Sequence, residues 1–195
     1  MSQAVFYFDL GSPFAYLAAE RLPEVLGESV RWQPVSLGGL FKVTGRSSWA
    51  LGDPERRQAG MAEVERRAQR YGLPPLRWPD PWPTNYLFAM RVATFAFEAG
   101  RGREFTLAAF HRAFQRGEDL GCSEHVLGAA AEAGLDASAA LAGAGDRAVK
   151  LALRVATDAA HRRGVFGVPT IAVGDALFWG EDRLCEVALA LARGT

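Results

Sequence analysis

One junction near the start of the chain constrains the fold more than any other stretch. Ala4 to Phe8 (AVFYF) is an apolar, aromatic run of strand length, and it breaks at Asp9-Leu10-Gly11. Ser12 and Pro13 follow where a helix is expected to begin, since serine is a preferred N-cap and proline suits the first helical turn. A strand that feeds directly into a capped helix aims one hydroxyl and several unpaired backbone N–H groups at a single point. The helix dipole makes that point favourable for an anion. Taken alone, the stretch reads first as an ordinary capped helix.

The pattern downstream organises itself around this junction. Pro13 to about Leu26 is helical, with Ala18, Leu22 and Val25 on one face, and Pro23 is expected to kink or end it. Val30 to Val35 (VRWQPV) reads as a second strand. Strand, helix and strand within about thirty residues form a βαβ unit, so the two strands are expected to be parallel. Ser36 to Gly45 is glycine-rich at both ends and reads as a turn region, and Arg46 to Pro54 reads as loop. Helical stripes then follow: Met61, Val64, Ala68 and Tyr71; Tyr86, Met90, Ala93 and Phe97 within Thr84–Glu98; Leu107, Phe110 and Phe114 within Glu104–Arg116. Ser123 caps another helix, a short one starts at Asp136, and Val149, Leu153, Ala156 and Ala160 mark the last, from Asp146 to Arg163. Periodic apolar faces of this kind are core.

The chain then returns to β structure. Thr170–Val173 and Ala176–Trp179 flank the turn signal Gly174-Asp175, and Gly180-Glu181-Asp182-Arg183 opens a C-terminal helix. The outline is β-α-β, an all-helical insertion, then β-β-α. That is an α/β thioredoxin-like fold, with residues 1–40 and 160–195 forming the thioredoxin-like domain and 41–159 the helical insertion domain. Val168-Pro169-Thr170, directly before a strand, is where such folds place a cis-proline beside the first helix.

Composition narrows the function. The 195 residues carry 22 basic and 22 acidic side chains, with no basic block interleaved with aromatics, so nucleic acid is not an expected partner. Every apolar stretch is broken too early to span a membrane. A strand beginning within five residues of Met1 leaves no room for a signal peptide, so the expected location is the cytoplasm. Cys122 and Cys185 are far apart and read as buried or half-buried thiols. His111, His125 and His161 have no partners at metal-ligand spacing, so no metal is expected.

Several blocks resemble the 2-hydroxychromene-2-carboxylate isomerases, relatives of kappa-class glutathione transferases within the DsbA-like group. They are Tyr7-Phe8-Asp9-Leu10-Gly11-Ser12-Pro13 with Ala15-Tyr16, Pro34 through Gly45 (PVSLGGLFKVTG), Arg91 after a Trp-Pro segment, and Gly164-Val165-Phe166-Gly167-Val168-Pro169-Thr170 leading to Phe178-Trp179-Gly180-Glu181-Asp182-Arg183-Leu184. Where a thiol–disulfide enzyme of this fold shows Cys-Pro-x-Cys, this chain has Ser12-Pro13-Phe14-Ala15. Thiol–disulfide exchange needs a protein thiolate, so that chemistry is excluded at this position. A hydroxyl donor and a helix N-terminus remain, suited to a thiolate supplied from outside.

The resemblance implies glutathione as cofactor, a small aromatic substrate and a homodimer. It places the glutathione sulfur on Ser12, a strand-like backbone pairing on Val168 beside Pro169, and the γ-glutamyl end on Glu181 and Asp182. Asp182 reads alternatively as a simple helix cap. Lys42 would pair with a carboxylate of substrate or glutathione, or else stand solvated. Asn85, Trp78 and Trp82 would line the substrate pocket, with Arg46 or Arg91 assisting; the Trp-Pro segment reads alternatively as a structural loop, and Arg91 as structural. The implied reaction is reversible thiolate addition, bond rotation and elimination. The stretch Arg46 to Gly52 is bulkier than the corresponding family loop, which puts the chromene carboxylate itself in doubt as substrate. Two other readings share the same residues: a kappa-like glutathione transferase or peroxidase, and a non-catalytic glutathione-binding module.

Overall fold

The computed structural model describes residues 3–27 and 30–193. Strand β1 (Val5–Phe8) leads into helix α1 (Pro13–Leu26) and then strand β2 (Arg31–Pro34). Helices α2 (Leu37–Thr44), α3 (Pro54–Arg70), α4 (Leu87–Glu98), α5 (Gly102–Arg116), α6 (Ser123–Glu132), α7 (Ala137–Gly145) and α8 (Arg147–Arg162) follow. Strands β3 (Thr170–Val173) and β4 (Ala176–Trp179), a 3₁₀ turn (Glu181–Arg183) and helix α9 (Leu184–Arg193) complete the chain. The sheet order is β2-β1-β3-β4. β1 and β2 are parallel, and β1–β3 and β3–β4 are antiparallel. This is the thioredoxin-like arrangement read from the sequence. No helix among the described residues is long and apolar enough to cross a membrane.

Two-residue periodicity divides β1 between two cores. Phe6 and Phe8 join Trp32 and the helices on one face, while Val5 and Tyr7 face Val35, Leu40, Ala160 and Val168 on the other. Both faces are buried, which is why β1 reads as a continuous apolar run. Among the helices, α4 is central. It presents Ala89, Val92, Ala93 and Ala96 to its neighbours, all fully buried, and their small size permits close helix approach.

The local differences from the sequence reading have identifiable causes. α1 continues through Pro23 to Leu26, because the buried row Leu17, Ala18 and Leu22 holds it against the core and few helical bonds remain beyond the proline. The glycine-rich turn region is instead helix α2. Its start is secured three times over: Ser36 Oγ accepts from Gly39 N–H (3.1 Å), Asp9 Oδ2 from Leu37 N–H (2.7 Å), and Thr157 Oγ1 from Ser36 N–H (2.9 Å). Gly39 also lies close to Thr157, where a Cβ would come within 3.2 Å of its methyl, so glycine here serves the approach of α2 to α8. Cys122 and Cys185 are exposed, not buried, because each sits on the outward side of a helix start.

Candidate active site

Pairing between β1 and β3 brings the two ends of the chain together. Tyr7 registers with Thr170, so the chain leaving β1 and the chain entering β3 meet at one edge of the sheet. Ser12 lies on the first side and Val168 on the second, and the Val168–Pro169 peptide is cis. Ser12 is the N-cap of α1, with its Oγ accepting from Ala15 N–H at 3.2 Å. The same hydroxyl donates to Val168 O across 3.4 Å. That bond is long for O–H···O, so the proton is held loosely and is available to a stronger acceptor.

Three connected hollows surround Ser12. The central one, about 560 Å³, is walled by aromatic residues including Phe14, Trp49, Trp82, Phe166 and Trp179, and carries Arg46 and Arg56. It shares Gly11, Leu37, Phe41 and Pro83 with a second hollow of about 520 Å³ that holds Asp9, Lys42, Asn85, Tyr86 and Met90. On the other side it shares Phe14, Val168 and Trp179 with a third hollow of about 390 Å³, lined by Arg67, Pro169, Glu181, Asp182 and Arg183. Together they form a groove with a polar, charged end, an aromatic middle and a mostly apolar far end.

Glu181 is fully buried beneath the charged end. Its carboxylate receives Arg67 (2.6 Å), Tyr71 Oη (2.8 Å) and Arg21 (3.1 Å). Its acceptors are therefore committed within the protein, and it is not free to receive a ligand ammonium. Asp182, over half exposed, reaches Arg67 only at 3.4 Å and faces the groove. Burial works against the Arg67 cation, but its bonds to Glu181 and Glu63 hold it well above the ordinary arginine value. Burial, followed by Glu181, pushes Tyr71 up to about 12.

Asp9 ties the two helix starts together. Its carboxylate accepts from Gly11 N–H (2.8 Å), just before α1, and from Leu37 N–H (2.7 Å), the first residue of α2. Burial pushes its carboxyl up to about 6, against the lowering effect of those two N–H groups. Gly11 is pressed against the Tyr86 ring so closely that any Cβ would overlap it. Tyr86 in turn is pushed up by burial.

The sequence-derived residues thus separate. Ser12, Val168, Pro169, Asp182, Arg46, Trp82, Lys42 and Asn85 all line the groove. Trp78 does not. Its ring packs 4.7 Å from Trp82 on the far side and its indole N–H donates to Glu65 (2.7 Å), so it supports the wall from behind. Arg91 is half-buried on α4 and lies off the groove lining. Residues not singled out from sequence are Asp9, Trp49, Arg56 and Arg67. Asp9 had a signal in its position three residues before the cap. The Arg67–Glu181 pair spans 114 residues and had none.

A model of the DSBA-like thioredoxin domain matches residues 3–192. A 2-hydroxychromene-2-carboxylate isomerase from Sphingobium xenophagum is 32% identical over 188 residues, covering 92% of each chain. The isomerase of the same name from Pseudomonas putida is 30% identical, over 96% of this chain and 93% of its own. Among solved structures, a 2-hydroxychromene-2-carboxylate isomerase superposes with a TM-score of 0.83 at 26% identity, over 97% of this chain and 94% of that one.

Proposed function

We propose, from the premise that the chain belongs to the DSBA-like thioredoxin domain family and within it to the 2-hydroxychromene-2-carboxylate isomerase family, that it is a glutathione-dependent isomerase of an aromatic-catabolism intermediate. The observation that carries this reading is Ser12, a helix-capping hydroxyl with a loosely held proton where disulfide enzymes of the fold have a thiol. A hydrogen bond donated by Ser12 and the start of α1 both favour an external thiolate over its thiol. Val168 offers backbone on the opposite wall, and Asp182 offers an exposed carboxylate to the ammonium of a γ-glutamyl group. Lys42 and Asn85, in the far hollow, suit the carboxylate of an aromatic acceptor.

The chemistry balances without an added oxidant or acid. The hemiketal ring first opens: its ring C–O bond breaks while the hydroxyl proton passes to the phenol oxygen, and a conjugated ketone forms. The thiolate then adds to a conjugated carbon and forms a C–S bond, the carbon–carbon double bond becomes single, and its electron pair moves to the carbonyl oxygen as an enolate. The single bond rotates. The enolate collapses, the C–S bond breaks, and the thiolate returns unchanged.

The test is stoichiometry with 2-hydroxychromene-2-carboxylate as acceptor. Many turnovers per glutathione, with the free thiol titre constant, are expected. One thiol consumed per product would establish a transferase instead. Unchanged conversion without glutathione would reject the cofactor.

A further inference from the structure

Opening of the hemiketal moves a proton from its hydroxyl to the phenol oxygen, and the reaction just described gives that proton no carrier. Among the described residues, Asp9 is the one carboxyl group on the walls of the central and far hollows. It is only 5% exposed, yet it lines the far hollow together with Lys42, Asn85 and Tyr86. A buried carboxyl on a pocket wall is placed to exchange a proton with a bound ligand.

The carboxyl is fixed in advance without being used up. Gly11 N–H donates to Oδ1 at 2.8 Å and Leu37 N–H to Oδ2 at 2.7 Å, which sets its plane between the starts of α1 and α2. A carboxylate accepts about four hydrogen bonds, so each oxygen keeps an open position. Burial raises the group, against those two N–H donors, to about 6, where it can both take and return a proton near neutral pH. The titratable groups that face it across the hollow are Lys42 from α2 and Tyr86 from the segment entering α4. No other titratable side chain lines that hollow among the described residues. Burial pushes Tyr86 up, so it keeps its proton, and Lys42 is given to the acceptor's carboxylate in the reading above. Asp9 is the carrier that remains.

Its position suits the acceptor. A tight turn, with Ser12 N–H donating to Asp9 O at 3.1 Å, keeps Asp9 next to Ser12, and Gly11 between them borders both hollows. The hemiketal carbon lies two bonds from the carbon that takes the sulfur. An acceptor attacked at Ser12 and extending into the far hollow therefore carries its hemiketal oxygens past Gly11 toward Asp9. We infer that Asp9 carries the proton in ring opening. Its carboxylate takes the proton of the hemiketal hydroxyl as the carbonyl forms, and the ring C–O bond breaks with its electron pair on the phenol oxygen. The carboxyl then returns the proton to that oxygen and ends as the carboxylate it began. This rests on the isomerase reading above.

Steady-state kinetics with glutathione and two acceptors test it: 2-hydroxychromene-2-carboxylate, and cis-benzylidenepyruvate, which lacks the phenol hydroxyl and has no ring to open. Asp9→Asn is expected to lower kcat/KM for the ring acceptor on the order of a hundred-fold and to leave the open one within about two-fold. Equal losses on both acceptors, or no loss on the first, overturn the assignment while leaving the isomerase reading intact. The wild type supplies a reading that needs no variant. Both acceptors share the thiolate step, so the ratio of their kcat/KM values isolates ring opening. That ratio, ring over open, is expected to be level above about pH 6 and to fall about ten-fold per pH unit below it. A ratio flat with pH overturns the carrier. Failure of the wild type to convert either acceptor overturns the carrier and the isomerase reading together.

Discussion

The hydroxyl of Ser12 and the carbonyl of Val168, 156 residues apart in sequence, stand 3.4 Å apart at the mouth of the sheet. The bond is long, and a thiolate is a stronger acceptor for the Ser12 proton than a peptide carbonyl. Ser12→Ala is expected to lower turnover about ten- to a hundred-fold, the weight of one hydrogen bond to a charged group. Stability falls by about 1 kcal/mol with the lost cap. The pH dependence of thiolate absorbance in the glutathione complex checks the cause: the bound thiol should titrate higher in the variant, and an unchanged titration would remove Ser12 from the chemistry.

Glu181 and Asp182 are adjacent, yet their variants are expected to behave differently. Glu181→Gln removes a fully buried anion from Arg21, Arg67 and Tyr71. Breaking such a cluster costs about 3–5 kcal/mol, or about 10 °C in Tm for a chain of this size. Asp182→Asn acts on an exposed side chain and is expected to change stability by less than about 0.5 kcal/mol while weakening glutathione binding. Calorimetric unfolding and ligand titration on both variants separate the two roles.

Asp9 gives the protein a defined pH signature. Its folded value, about 6, exceeds the 3.8 of an ordinary aspartate, so the folded chain holds the proton more tightly than the unfolded one. Its contribution to stability is greatest below about pH 4 and is lost as pH rises through about 6, a span of about 3 kcal/mol. Asn at this position does not titrate. The unfolding free energy of the wild type minus that of Asp9→Asn, measured in urea at fixed ionic strength, is expected to fall across that window. A flat difference would show that Asp9 titrates normally.

Gly60 lies inside α3, where alanine ordinarily gains about 0.5–1 kcal/mol. Here the added Cβ would overlap the Trp49 ring, which is already held between Phe14 and Trp82. Overpacking of this kind costs about 1–3 kcal/mol, so the steric effect wins and Gly60→Ala is expected to destabilise. Displacement of Trp49 also disturbs the aromatic wall of the central hollow, and KM for the aromatic substrate should rise several-fold with kcat little changed. Greater stability in urea would show that Trp49 yields easily.

Residue order alone determined the strands, most helices and the Ser12–Pro13 junction, because apolar periodicity, caps and turn residues act over a few positions. Local chemistry also excluded disulfide exchange at the start of α1, since no cysteine stands at Ser12 or Ala15. Tertiary structure decided which polar groups are free. Glu181 and Asp182 share a helix-start composition, but three partners from α1 and α3 and the residue after it bury the first and leave the second open. The glycine-rich stretch became α2 because Asp9 and Thr157, distant in sequence, complete its cap. Trp78 and Trp82 belong to one aromatic segment, and packing against Glu65 and Phe114 turned the first away from the groove. The junction that begins the chain's architecture specified its own cap. Only the pairing of β1 with β3 set a second wall, at Val168, opposite its hydroxyl.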